Sequence, residues 1–318
     1  MATAPITVAI VSWNTRDLLA SCLESFAPDA DAGVADVWVI DNASDDGSPD
    51  MVRQRFPWVN LIEAEDNIGF GPAVNRIAER TDSEWIAPAN SDIAVRPGAL
   101  ERLLEAGAQD PGAGAVAPRL LLPGGETQDS VGAFPTITFT LLHSIGALGF
   151  RSRLTERYGY PGRWDKERSR RVEWAVAAFI AVRRRAWDEV GGFDERQWMY
   201  AEDVDLGWRL HQAGWATRYE PDAVVDHHHA AATSQQFGTE LAPVWQRATY
   251  GSIARRRGSF YARVIAFINV FGAARRYPMV AWRSRKRADP GQIRALHRRW
   301  IKVHLNALDP RERLGNRR

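Results

Sequence analysis

The chain is short of cysteine, lysine and long apolar runs, and each shortage closes a class of explanation. A single cysteine in 318 residues, Cys22, excludes an intrachain disulfide and any cysteine-ligated zinc or iron–sulfur centre. It lies in Leu18-Leu19-Ala20-Ser21-Cys22-Leu23, whose spacing reads as the buried face of a helix. The longest apolar run, Val264–Ala274, is 11 residues between Arg263 and Arg275, against the roughly 20 that a spanning helix needs. Met1–Pro5 leads straight into the apolar Ile6–Val11 with no basic segment or cleavage site, so no leader is expected. The expected location is cytoplasmic, at most peripheral on the inner face of a membrane. Two phosphate cradles are also missing. The turn after the first apolar run is Ser12-Trp13-Asn14-Thr15-Arg16, without the glycines of G-x-G-x-x-G, and no Walker lysine loop occurs. A nucleotide bound here needs another counter-charge, and a divalent cation held by carboxylate and imidazole is the natural one.

What is present is an ordinary globular composition, 45% hydrophobic and 25% charged, long enough for one large domain or two. The net charge of +2 hides an asymmetry. Glu240–Arg318 carries 19 basic residues against 4 acidic, whereas the rest carries 22 against 35, which points to two regions with different partners. We place the boundary at 1–235 and 236–318. Only Lys166, Lys286 and Lys302 are lysines, so the basic tail offers guanidinium forks, which suit phosphate.

The first hundred residues alternate strand and helix signals. Strands are expected at Ile6–Ser12, Val37–Ile40, Asn60–Ala64 and Trp85–Ala89, with helices after Arg16, from Pro49 to Phe56 and from Phe70 to Arg80. That alternation predicts an α/β fold: a Rossmann-like, mostly parallel sheet with flanking helices, whose ligands bind beyond the carboxyl ends of the strands. Further on, Glu173–Val182 reads as a strand, Arg183–Val190 and Glu202–Ala213 as helices, and the chain from about Gln235 as a basic, aromatic helical extension.

Four segments carry residue types fit for chemistry. Asn90-Ser91-Asp92 puts a carboxylate just past a strand, as a cation ligand or as a capped turn. Tyr200-Ala201-Glu202-Asp203-Val204-Asp205-Leu206 opens a helix with three acids, either favoured by the helix dipole or supplying a general base. Asp226-His227-His228-His229 follows a strand, where alternation allows at most two histidines on one face. Asn67-Ile68-Gly69-Phe70-Gly71-Pro72-Ala73-Val74-Asn75 sets two glycines before a helix, suiting close approach by a ligand or a tight strand–helix turn.

Together with Val11-Ser12-Trp13-Asn14, Asp41-Asn42-Ala43-Ser44-Asp45-Asp46-Gly47-Ser48 and Gly191-Gly192-Phe193-Asp194-Glu195, these segments, in this order over roughly 235 residues, resemble the family 2 nucleotide-sugar glycosyltransferases, and within them the rhamnosyltransferase-like branch. The resemblance implies a GT-A fold, inversion at the transferred sugar, and a divalent metal, Mn²⁺ or Mg²⁺. It implies donor contacts from Ser12, Asn14, Asp41, Asn42, Asn67, Gly69, Phe70, Asn75 and Asn90, with Asp41 accepting from the pyrimidine base. Asp92 matches the last acid of the D-x-D motif, and His227 the distal metal histidine, with His228 and His229 as register alternatives. Asp203 matches the general base, beside Glu202. Two departures stand out: Ala89-Asn90-Ser91-Asp92 replaces the usual Leu-Asn-Pro-Asp, and Ala230-Ala231-Ala232-Thr233-Ser234 replaces the glycine-serine pair after the histidine.

The branch resemblance implies dTDP-rhamnose as donor, with a UDP-hexose or UDP-N-acetylhexosamine as the alternative, in surface polysaccharide assembly, and the basic tail motivates a glycan or polyprenyl-diphosphate-linked acceptor. A non-catalytic nucleotide-sugar binder is the reading from another class. In the tail, Phe260, Tyr261, Val264, Ile265, Phe267, Ile268 and Phe271 precede Arg275-Arg276 and Arg283-Ser284-Arg285-Lys286-Arg287. That pattern reads as contact with an anionic membrane surface or as a helix packed on the catalytic domain. No nucleic-acid motif accompanies the charge, and no nucleic-acid partner is expected.

Overall fold

The computed structural model describes residues 3–148, 153–157, 162–228, 241–285 and 289–309. His229, Ala230–Ser234, Lys286, Arg287 and the boundary expected at 235 lie outside them. β1 (Ile6–Ser12) lies between β2 (Ala35–Asp41) and β4 (Trp85–Asn90), parallel to both, and β3 (Asn60–Glu63) runs parallel outside β2. Ile6, Val8, Ala9 and Ile10 are all fully buried, as expected of a strand covered on both faces. The covers are α1 (Arg16–Asp31), α2 (Ser48–Arg55) and α3 (Phe70–Ala78). Helix α1 turns Leu19, Cys22, Leu23 and Phe26 inward, and burial raises the Cys22 thiol well above its ordinary pKa.

Beyond β4 antiparallel strands join the parallel ones and the sheet becomes mixed. β10 (Ala181–Arg183) enters between β4 and β6 (Ala113–Leu121), antiparallel to both. β6 is parallel to β11 (Ala216–His227), which also takes β5 (Ile93–Val95) and β8 (Arg170–Val172) antiparallel. Antiparallel neighbours need no helical crossover, so three-residue strands slot in. The Glu173–Val182 run is split accordingly. β9 (Trp174–Ala175) pairs with β7 (Val131–Gly132) in a separate ribbon, and the chain between β9 and β10 crosses the end of β4, where Ala178 O accepts the Asn90 N–H at 2.9 Å.

Around the sheet stand α4 (Ala99–Gln109), α5 (Ile137–Ile145), α6 (Arg153–Arg157), α7 (Arg184–Val190) and α8 (Glu202–Gln212). The extension forms α9 (Leu241–Arg257), α10 (Ser259–Ser284) and α11 (Pro290–Asn306), with a small core of Tyr250, Ile253, Ala262, Ile265 and Ala266. It packs on the catalytic half: α9 meets α8, and α10 meets α5 at Gly272, where a Cβ would overlap Ser144.

The start of β4 generates a sign test. Trp85 is buried under the Arg183 guanidinium, 4.4 Å from its ring centroid, and Arg183 Nη2 also donates to Gly107 O at 2.8 Å. A Cβ on Gly107 of α4 would overlap that ring. Alanine for glycine inside a helix normally adds about 1 kcal/mol of stability. Here overpacking outweighs that gain, at about 1–3 kcal/mol, so Gly107→Ala is expected to lower the urea unfolding midpoint.

Candidate active site

The parallel strands deliver their ends to one edge. Ser12 is the register partner of Asp41, and Val11 that of Asn90. Past those ends the loops interlock. Ser12 Oγ lies 3.3 Å from Thr15 Oγ1, which lies 2.7 Å from Ser91 Oγ, so a chain of hydroxyls ties the first exit to the third. Asn14 and Ala43 sit at φ 52° and 62°, left-handed backbone uncommon outside glycine. Asn14 N–H donates to Ser44 Oγ at 2.9 Å, and its Oδ1 accepts from Asp45 N–H at 2.9 Å. The buried Asp41 carboxylate accepts from Ser44 N–H at 2.8 Å and Ser44 Oγ at 2.7 Å, yet burial still raises its pKa. Asn42 binds Ser12 O through its backbone N–H at 2.8 Å and Gly69 O through Nδ2 at 3.2 Å.

The Asn67–Phe70 turn is held from the other side. Gly69 has φ 89°, and a Cβ there would overlap the Trp198 carbonyl, which accepts Phe70 N–H at 3.2 Å. Trp198 Nε1 donates to Asn67 O at 3.3 Å, and the Phe70 ring meets Phe193 edge-on at 5.8 Å. Asn75 is not brought to the strand ends. Its Nδ2 donates to Phe193 O at 2.9 Å and Glu195 Oε1 at 3.1 Å, while its Oδ1 accepts Phe193 N–H at 2.9 Å, so it clasps the Gly-Gly-Phe turn against α3. Asn90, half-buried at the end of β4, anchors the crossing chain through its backbone N–H.

Asp92 and His227 meet. Asp92 precedes β5, His227 ends β11, and the pairing of His227 with Ile93 sets them side by side. Both are buried, with His227 Nε2 3.4 Å from Asp92 Oδ1. Gln128 Oε1 lies 2.7 Å from His227 Nδ1, and a proton on Nδ1 turns the Nε2 lone pair toward the carboxylate. An imidazole nitrogen and a carboxylate oxygen this close are a sound donor pair for a divalent cation. No group of three His, Cys, Asp or Glu that could hold a metal occurs among the described residues, so other ligands would come from water or a bound diphosphate. His228 is exposed just past the strand, its N–H on Asp92 O at 2.8 Å, and Asp226 pairs with Arg96 at 2.9 Å.

The acids of α8 have separate surroundings. The chain enters the helix through Tyr200 and Ala201, both left-handed at φ 66° and 60°. The Asp203 carboxylate accepts Val204 N–H at 2.7 Å and also the N–H of Ala177, whose neighbour Ala178 binds Asn90. One short segment thus bridges Asp203 and the end of β4. Burial raises the pKa of both Glu202 and Asp203, and Glu202, facing the charges of Asp203 and Asp205, is raised further. Asp205 has no exposed surface. It accepts from Arg209 Nε at 2.8 Å, from Arg256 Nε at 2.7 Å and Nη2 at 2.9 Å, and from Ser252 Oγ at 3.2 Å. Burial alone would raise its pKa, but Arg256 and Arg209 outweigh burial and lower it. Arg256 Nη2 also reaches Asp194 Oδ2 at 2.9 Å, joining the Gly-Gly-Phe-Asp-Glu turn to the same network. Sequence reasoning missed Arg256, because Arg255-Arg256-Arg257 reads as part of a basic tail.

Polar strand ends, a carboxylate–imidazole pair and raised carboxyls are groups that a glycosyltransferase can use, and the similarity of the whole chain to known proteins assigns it to that class. The chain belongs to glycosyl transferase family 2, whose sequence profile matches residues 7–175, with the profile of glycosyl transferase family group 2 matching 144–301. It is 36% identical over 237 residues to the N-acetylglucosaminyl-diphospho-decaprenol L-rhamnosyltransferase of Mycobacterium tuberculosis, covering 71% of this chain and 76% of the relative. It is 37% identical over 163 residues to the pre-mycofactocin glycosyltransferase of the same organism, covering 50% of this chain and 30% of that one. Among solved structures, the mannosyltransferase PcManGT from Pyrobaculum calidifontis, in complex with GDP-Man and Mn²⁺, shares the fold at TM-score 0.60 and 15% identity, over 98% of this chain and 89% of that one.

Removing Arg256 tests the network. Arg256→Met leaves a fully buried carboxylate one guanidinium short, a change expected to cost about 3 kcal/mol of unfolding free energy. Because the folded pKa of Asp205 is lowered, the wild-type contribution is complete above the unfolded value of about 4 and fades as pH falls through the folded one. Urea titrations should therefore show the widest gap between the two proteins at neutral pH and a narrower one below about pH 4.

Proposed function

We propose that this enzyme transfers L-rhamnose with inversion from dTDP-rhamnose to an N-acetylglucosaminyl-diphospho-polyprenol, in surface polysaccharide assembly. The observation that carries the reading is the 36% identity, over most of both chains, to a rhamnosyltransferase named for that acceptor. In this reading Asp41 accepts from the pyrimidine base, while Ser12, Asn14, Asn42, Asn67, Gly69, Phe70 and Asn90 shape the donor crevice. Asn75 acts by holding the Gly-Gly-Phe turn in place. Asp203 takes the proton from the acceptor hydroxyl as its oxygen bonds to the anomeric carbon. The bond from that carbon to the diphosphate oxygen breaks, and the nucleoside diphosphate leaves with the electron pair. Mn²⁺ or Mg²⁺ held by Asp92 and His227 would supply positive charge to the departing diphosphate.

The neighbouring acid has a different part. Burial raises both Glu202 and Asp203 and the charge of Asp203 raises Glu202, so the two titrate as a pair, and in this reading Asp203 is the member that works ionised. Asp203→Asn is expected to lower kcat by about 10²–10⁴, whereas Glu202→Gln, which mimics the protonated acid, should keep most of it. Because the base works deprotonated and its pKa is raised, kcat/KM should begin to fall above the ordinary carboxylate value of about 4 as pH decreases. The assay is radiolabelled transfer with dTDP-rhamnose, UDP-glucose and UDP-N-acetylglucosamine, each with and without Mn²⁺. Transfer from a UDP-sugar alone would replace the donor, and binding without turnover by any donor would favour the non-catalytic reading.

The acceptor brings the enzyme to a peripheral place on the inner face of a membrane. No helix among the described residues is long and apolar enough to cross one. On α10, Phe260, Phe267, Phe271 and Trp282 are 82%, 65%, 54% and 63% exposed and recur on one side of the helix. The basic residues Arg275, Arg283 and Arg285 accompany them, a composition that suits an anionic leaflet. Phe267→Ser with Phe271→Ser should reduce co-sedimentation with phosphatidylglycerol vesicles, and recovery equal to wild type would remove the membrane from the reading.

A further inference from the structure

Helix α10 has a second, inward side. Ile265, Asn269 and Arg276 recur on it and face a cavity of about 430 Å³ between the catalytic half and the extension. That volume is in the range of ligand sites, roughly 300–1,000 Å³, whereas packed interiors keep few voids larger than a water molecule. Its wall is mainly aromatic and aliphatic, from Phe139 of α5, Trp174 of β9, Val204 of α8, Trp245 and Ile253 of α9, and Trp300 of α11.

Charge in the cavity is sparse. Asp129 is paired with Lys166 at 2.8 Å. Burial first, and the Arg276 guanidinium second, lower the pKa of His143 and His304 and favour their neutral rings. Arg276 thus brings a guanidinium to the wall of a mainly apolar chamber. The chamber also adjoins the chemistry: Val204 lines it, and the Val204 N–H donates to the Asp203 carboxylate.

An apolar chain joined to an anion fits such a space, and a free nucleotide sugar does not. We propose that this cavity receives the isoprenoid portion of the lipid-linked acceptor, with Arg276 as counter-charge to its diphosphate. The assignment rests on the acceptor class given above. It also accounts for an extension packed against the base-bearing helix: α10 then separates the chamber from the exposed aromatic stripe on its outer side.

Trp174, Trp245 and Trp300 in the wall give a readout independent of sugar transfer. Farnesyl diphosphate titrated into the full chain should change tryptophan emission saturably, and inorganic diphosphate at the same concentration should not. Thr249→Phe on α9 and Thr140→Phe on α5 each fill the cavity from a different helix. Whichever variant retains the wild-type melting temperature should bind farnesyl diphosphate at least tenfold more weakly. In transfer assays it should raise KM at least tenfold for a polyprenyl acceptor while leaving KM for the methyl diphosphate analogue of the same sugar unchanged. Equal farnesyl diphosphate binding by wild type and folded variants, or none by wild type, would overturn the proposal. Transfer that proceeds with long and short acceptors equally affected would also overturn it, while leaving the proposed function intact. Absence of transfer from any donor, with farnesyl diphosphate still bound and displaced by Thr249→Phe, would instead retire the function and keep the cavity.

Discussion

A charge with no access to water has to be answered from within, and α8 is organised around one. Asp205 is answered by Arg209 from its own helix and by Arg256 from the extension, and Arg256 then holds Asp194 as well. Three distant pieces of chain, the turn after α7, the first turn of α8 and the last turn of α9, converge on one guanidinium. With Asp205 neutralised, the helix start can carry Glu202 and Asp203 in half-buried positions that raise their pKa values. Two residues of left-handed backbone, Tyr200 and Ala201, set the entry angle. Such strain persists only where its surroundings over-determine it.

The opposite wall is built by register rather than by charge. β5 is three residues long, but its antiparallel pairing with the end of β11 sets His227 beside Asp92. Gln128 orients the ring from behind. A slip of one residue would turn His228 inward in place of His227, so a short strand at the edge of the sheet decides which imidazole faces Asp92. The two groups are joined by Ala177 and Ala178, the first through its N–H on Asp203 and the second through its carbonyl on Asn90.

The parts of this arrangement legible in the sequence are those with a local signature. β1, β2 and β4 announce themselves as apolar runs, α1 by the spacing of Leu19, Cys22, Leu23 and Phe26, and the loops beyond them by clusters such as Asp41–Ser48. The family resemblance followed from the order of such segments. Elements of three residues, β5 and β10, are too short to show a period, and the strand read across Glu173–Val182 concealed a break that only the crossing over β4 explains. Arg256 was invisible for another reason. Its partner Asp205 lies 51 positions away, and an arginine among arginines in a basic stretch says nothing about which of them is turned inward. Alternation along a strand limited the histidine choice without making it, because the pairing partner of β11 had first to be known.

The basic extension looks detachable by composition, since its charge reverses that of the rest of the chain. Arg256 makes it otherwise. A catalytic unit cut free of the extension would keep Asp205 but lose one of the two guanidiniums that neutralise it, at the foot of the helix bearing Glu202 and Asp203. An extension exchanged for another would leave Asp205 with Arg209 alone unless it brought its own cation to this point. The helices of the extension are thus constrained from inside as well as by whatever surface they meet.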